Sequence, residues 1–143
     1  MIPNHPPHFA IIGAGTAGLA TAILLARQNI QVSILEKASE LEPVGAGLLL
    51  QPSGLAVFEH LGLLDEVLRL GAKVTGLKGQ LPSGNLLVNS HYQQAHPDFY
   101  GVGIHRATLC HVLENKCREY SELITWQMNT DIQTLEETSN QVR

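Results

Sequence analysis

Apolar residues in this chain change their period along its length, and the changes mark the elements. Residues 9–12 are a short apolar run, the pattern of a strand buried on both faces. A glycine-punctuated turn follows. Residues 16–28 are rich in Ala and Leu and predict a helix, with Asn29 as the residue that ends it in a left-handed conformation. Residues 31–35 carry Val32 and Ile34 in a β-prone setting and predict a second strand. Residues 43–47 predict a loop, and 48–50 a brief apolar extension. Ser53 is expected to cap a helix through His60. Residues 63–70 give a further helical piece, with Leu63, Leu64, Val67 and Leu68 on one side.

Downstream, residues 74–80 and 86–90 flank Leu-Pro-Ser-Gly-Asn, a turn signal, and predict a β-hairpin. Residues 100–104 read as a strand and 107–120 as a helix, with Leu109, Val112, Leu113 and Lys116/Cys117 at helical spacing. Residues 123–126 and 131–135 are expected strands, with Trp126 expected in the core. Residues 136–140 are an expected polar turn. Residues 141–143 would open one more strand, which the chain ends inside, so an edge left unpaired there would favour self-association. The pattern contains no internal repeat and no low-complexity segment.

Composition narrows the picture. The chain has 143 residues, 44% hydrophobic and 15% charged, with a net charge of −4. That is the size of one domain, and neither the charge nor any basic run suits a nucleic-acid partner. Residues 1–8 hold three prolines and no apolar run, so they read as a disordered lead-in rather than a signal peptide. The longest strongly apolar helical stretch is the eight residues 19–26, whereas a membrane span needs about 20. Cys110 and Cys117 stand seven residues apart on an expected helix, roughly 10 Å, too far for a disulfide. Free cysteines suit a cytoplasmic setting.

The chemistry lies in Gly13-Ala-Gly-Thr-Ala-Gly18 and in Glu36. Strand, glycine turn, helix, strand and acid occur in the order that seats the pyrophosphate and ribose of a dinucleotide. Gly13 permits the tight turn. Gly15 lets phosphate oxygens approach the backbone. Gly18 lets the helix pack closely on the sheet, and Ala22 and Ala26 continue that thin face. Backbone N–H groups at the helix start, including that of Ala17, would face the pyrophosphate. Glu36 would accept hydrogen bonds from a ribose diol and disfavours a 2′-phosphate. Lys37, next to it, suits either a backbone contact near the ribose or a solvated surface. The seven histidines show no metal-ligand spacing, so no metal site is expected. Cys110 and His111 point about 100° apart on a helix, which argues against a nucleophile pair.

Taken together, Gly13–Gly18, Leu35-Glu36-Lys37, Pro43-Val-Gly-Ala-Gly-Leu48, Leu50-Gln-Pro-Ser-Gly54, Leu61-Gly-Leu63 and Ile104-His-Arg-Ala-Thr-Leu109 occur in an order that resembles a known family. It is the FAD-dependent aromatic-ring hydroxylases, the p-hydroxybenzoate, salicylate and 6-hydroxynicotinate group. The likeness covers nearly all of the chain from Phe9. It implies an α/β fold: a partial Rossmann-like FAD-binding domain over 9–143, incomplete at its C-terminus, with a small β-hairpin excursion. It implies FAD in the glycine turn, and NAD(P)H and O2 as co-substrates in hydroxylating a small aromatic. It also implies that the loop at Gly45–Gly47 runs beside the flavin or its ribityl chain. Arg106 would reach the ribityl or phosphate part, and the backbone of Ile132, on a strand, would clasp adenine. No catalytic residue is expected in these residues. The family's later Asp-Gly and Gly-Asp motifs do not occur here. A truncated FAD- or ADP-binding module without turnover therefore stands beside the enzyme reading. An NAD-binding dehydrogenase domain is disfavoured by the Gly45–Gly47 loop and Arg106, neither of which is needed to seat NAD.

Overall fold

A computed structural model describes residues 7–41 and 45–138. It divides into two compact units, one from Met1–Glu42 with Leu113–Arg143 and one from Pro43–Val112.

The first unit is a three-stranded parallel sheet with helix α1 packed on it. Strand β1 (His8–Ile12) and strand β2 (Gln31–Leu35) flank α1 (Thr16–Arg27) in sequence. Strand β8 (Ile124–Gln127), reached through the second unit, pairs with β2, giving the order β1-β2-β8. Phe9 stands opposite Val32, and Val32 opposite Ile124. Leu19, Ala22, Ile23 and Ala26 are the buried face of α1, and Val32, Ile34 and Ile124 are buried in the sheet. His8, expected in the lead-in, already belongs to β1.

Asn29 ends α1 as expected, at φ 60°. Its amide donates to the Ala26 carbonyl and the Ile30 amide to the Leu25 carbonyl, so two of the carbonyls left over at the helix end are satisfied. A polar rung crosses the sheet. The Thr125 hydroxyl donates to the Val32 carbonyl (3.3 Å) and so has no proton left for Ser33. Ser33 Oγ therefore donates to Thr125 Oγ1, and His8 Nε2 donates to Ser33 Oγ, both at 2.9 Å.

The second unit is built on an antiparallel sheet in the order β3-β7-β4. Its strands are β3 (Gly47–Leu50), β4 (Ala72–Val74) and β7 (Gly101–His105), with α2 (Pro52–His60) and α3 (Leu64–Leu70) between β3 and β4. Ser53 does not cap α2. Gln51 is the capping residue, no side chain caps the helix, and Pro52 holds the first position, where its fixed φ favours a start. Gly62 (φ +71°) closes α2, its amide donating to Glu59 and that of Leu63 to Phe58. Leu63 and Val67 are buried as the pattern predicts, whereas Leu68 is exposed. The hairpin is present as β5 (Gly76–Gln80) and β6 (Leu86–His91), turning at Gly84, φ +87°. Every residue of β6 is exposed.

The division between the units falls within α4 (Arg106–Arg118). Leu109 and Val112 are buried residues of the second unit, Leu113 and Cys117 of the first. The Cys117 thiol donates to the Leu19 carbonyl at 3.5 Å, and burial pushes its pKa up to about 12, so it is an inert core group. Cys117 is in no disulfide.

Two expectations fail at the end of the chain. No strand forms over residues 131–135. Asn129 (φ 53°) turns the backbone out of β8, and the amides of Asn129 and Thr130 are taken by the Ala38 and Glu36 carbonyls. Trp126 is half-buried rather than core, with the Arg118 guanidinium 5.7 Å from its ring centre. The strand expected over 141–143 lies outside the described residues, as do residues 43 and 44 of the expected loop.

Leu113 is fully buried, and Leu113→Ala should cost about 2–5 kcal/mol of stability. Leu87 is 67% exposed, and Leu87→Ala should change stability by less than about 0.5 kcal/mol. Urea unfolding of the two variants checks the contrast.

Candidate functional site

In the first unit the glycine turn is built by backbone contact. Gly13 adopts φ +97°, a conformation that side chains disfavour, and its amide donates to the Leu35 carbonyl at 2.8 Å. A Cβ on Gly18 would lie 2.1 Å from the Gly13 carbonyl oxygen and 3.2 Å from Ile11 Cγ2. No other residue fits there without moving the helix. Gly15 is the capping residue of α1 and has nothing within 4 Å of where a Cβ would stand. No side chain caps α1, so first-turn amides such as that of Ala17 have no partner within the helix. Their positive end suits an anion.

Glu36 follows β2 directly. Its Oε2 accepts the Ala14 amide at 2.7 Å and its Oε1 the Ala38 amide at 2.9 Å. These bonds hold its carboxyl below the usual carboxylate range. The Ala38 amide contributes most, then Ala14, while burial opposes and the neighbouring Lys37 charge assists. The Glu36 backbone is tied as well: its amide donates to Gln127 and its carbonyl accepts from Thr130. The acid thus joins the glycine turn, the end of β2 and the exit from β8. A carboxylate has about four acceptor positions. Two are used here, leaving two for a ligand diol.

Lys37 is exposed beside Glu36. Ile132 is half-buried two residues beyond Thr130, in irregular backbone rather than on a strand. Nearby, the Gln133 side chain donates to the Asp131 carboxylate at 2.6 Å.

In the second unit Gly47 and Arg106 come together. Gly47 pairs with His105 across β3 and β7, and the Arg106 amide donates to the Ala46 carbonyl at 3.4 Å. Gly45 (φ +135°) lies on the Arg106 stem: a Cβ there would stand 3.2 Å from Arg106 Cδ. The Arg106 side chain is exposed at the first position of α4, where the helix dipole repels a cation.

Sequence reasoning missed the anchoring amides of Ala14 and Ala38 and the Gln127 and Thr130 backbone contacts. A backbone N–H leaves no trace in residue type. The only available signal was Glu36 itself, a carboxylate at a strand end facing a turn.

Comparison with known proteins gives a consistent result. The family described as FAD binding domain matches residues 8–143. The 3-hydroxybenzoate 6-hydroxylase of Klebsiella oxytoca is 38% identical over 104 residues, which cover 69% of this chain and 26% of that protein. PqsL of Pseudomonas aeruginosa, solved with 2-aminobenzoylacetate, superposes with a TM-score of 0.83 at 28% identity, over 96% of this chain and 39% of that one. The tetrameric form of 2-methyl-3-hydroxypyridine-5-carboxylic acid oxygenase gives 0.76 at 27% identity, over 88% and 32%. The chain therefore spans about a quarter to two-fifths of the length of these proteins.

The Glu36 geometry predicts a pH effect. A carboxyl whose pKa is lowered on folding contributes stability that is fully present above its unfolded value, near 4.5, and is lost as pH falls through the folded value. Urea midpoints should therefore fall for the parent chain below about pH 5. Glu36→Gln should flatten that part of the profile, and an unchanged profile would remove the role assigned to the two amide bonds.

Proposed function

Because the chain belongs to the FAD-binding domain family, matched over residues 8–143, we propose that it is the FAD-binding part of a flavin-dependent monooxygenase that hydroxylates a small aromatic. The carrying observation is the glycine turn closed by Glu36, with Gly18 in backbone contact with Gly13 and two Glu36 acceptor positions left over. These residues fit FAD. Gly13, Gly15, Ala17 and Gly18 would present backbone to the pyrophosphate, Glu36 would take the adenosine ribose diol, and Lys37 would contact it from its backbone. Ile132, whose segment is held to Glu36 through Thr130, would lie toward adenine. Gly47 and Arg106 would serve the ribityl and phosphate part, a role that suits a cation at a helix start.

FAD supplies the redox chemistry when bound, drawing electrons from NAD(P)H, with O2 as oxidant. The substrate class rests on relatives that are named for hydroxybenzoate, aminohydroxybenzoate and hydroxypyridine-carboxylate oxygenation. Self-association through an unpaired strand edge over residues 141–143, which lie outside the described residues, is part of the proposal. A cytoplasmic location is part of the proposal, in keeping with Cys117 being a buried thiol. No described helix is long and apolar enough to cross a membrane. A second reading is FAD or ADP binding without turnover. NADH oxidation coupled to ring hydroxylation by the purified chain would decide against it.

Titration of FAD into the purified protein, followed in the visible spectrum, tests the reading directly, and absence of binding would overturn it. Glu36→Ala should weaken both FAD and ADP by about 1–3 kcal/mol. Circular dichroism would confirm that the variant folds. Arg106→Ala should loosen FAD and leave ADP nearly unchanged. Equal losses for both ligands would move Arg106 to the adenosine end.

A further inference from the structure

The Tyr92 phenol makes a bond that belongs neither to the core nor to the residues assigned to the cofactor. Tyr92 opens a short 3-10 turn, Tyr92–Gln94, directly after β6. Its backbone is anchored on both sides. The Tyr92 amide donates to the Thr75 carbonyl at 3.0 Å, and its carbonyl accepts the Ala95 amide at 3.0 Å and the His96 amide at 3.3 Å. The half-buried ring therefore leaves from a fixed point, and its hydroxyl donates to Gln51 Oε1 at 2.8 Å. The phenol reaches Gln51 over Gly101 of β7. A Cβ there would stand 2.7 Å from the Tyr92 oxygen and 3.0 Å from Leu49 Cδ1, so a larger residue would displace the phenol.

Gln51 is the joint between β3 and α2. Its carbonyl accepts the Leu55 amide at 3.0 Å and begins the helix. Its side chain caps nothing, because the side-chain oxygen is committed to Tyr92. From Gln51 the chain runs back along the four residues of β3 to Gly47, roughly 13 Å at about 3.3 Å per residue. β3 is a short edge strand, with β7 as its one neighbour among the described residues. A strand this short opens as a unit, so what holds its ends decides how often it does. At the Gly47 end the hold is weak. The Arg106 amide reaches the Ala46 carbonyl at 3.4 Å, a long bond, and Gly45 leaves it in a left-handed conformation (φ +135°). At the other end the side-chain hold is the bond from Tyr92.

We propose that Tyr92 is a positioning residue for the flavin side of the FAD site. It acts through Gln51: the bond holds β3 in register on β7, and β3 holds the Gly45–Gly47 loop beside Arg106. The inference rests on the reading that gives Gly47 and Arg106 the ribityl and phosphate part. It separates the two halves of the cofactor, because Glu36 and the glycine turn belong to the other unit and take no part in the strut.

Two measurements on the full chain test it. Tyr92→Phe keeps the ring and loses the hydroxyl. Hydrogen exchange of the β3–β7 ladder amides should quicken by about three- to tenfold, and FAD affinity should fall by a similar factor while ADP affinity stays within about twofold. Gln51→Leu should reproduce both changes, and the double variant should add little to either, because the two residues act through one bond. Circular dichroism should match the parent throughout. Unchanged exchange in Tyr92→Phe, equal losses for FAD and ADP, or losses that multiply in the double variant would overturn the proposal. A parent chain that binds no FAD would overturn the cofactor reading and the role of Tyr92 with it, even where the exchange changes as expected.

Discussion

The contact between Gly18 and the Gly13 carbonyl sets the geometry of the first unit. A Cβ at Gly18 would overlap that oxygen, so helix and turn touch backbone to backbone. Because the turn is in turn fixed to the end of β2 through the Gly13 amide, the start of α1 has one position relative to the sheet. Its first-turn amides then point at open space above Gly15. A preorganised anion site costs little reorganisation when a phosphate arrives. The thin face continues through Ala22 and Ala26, which keeps the helix axis close to the strands along its length.

Glu36 adds a second constraint of a different kind. Its carboxylate closes the turn from the far side through two backbone amides, and its own backbone holds the loop leaving β8. A residue expected as a ligand contact is therefore also a structural tie. Binding and folding are coupled at this one side chain, and a substitution that removes the carboxylate disturbs both. Arg106 is different: among the described residues its amide donates to Ala46 and its stem lies against Gly45, while the side chain is exposed.

What could be read from the residues follows from the range of the interactions involved. Asn29 was legible because a left-handed helix end needs Asn or Gly, and the hairpin because Pro82-Ser-Gly84 is a turn signal. Gly13, Gly18 and Glu36 were legible as a group because order and spacing carry their chemistry. Ser53 misled because Pro52, one residue earlier, starts the helix without a side-chain cap. Residues 131–135 misled because their apolar spacing suits a strand, but the competing partners of Asn129 and Thr130 come from residues 36 and 38, far away in sequence. The split of the chain into two units was not legible at all, since α4 runs through the division without a break in its pattern.

That split has a consequence for synthesis. β2 pairs with β1 early, but its other partner, β8, stands about ninety residues downstream. At roughly 5–20 residues per second, a ribosome would take on the order of 5–20 s to deliver it. Throughout that interval the nascent sheet would carry Val32, Ser33 and Ile34 on an unpaired parallel edge. The second unit, whose sheet partners all lie within its own segment, can close first. Of the two units the Rossmann-like one thus begins before the other and closes after it, and it is the one that a chaperone would meet half-built.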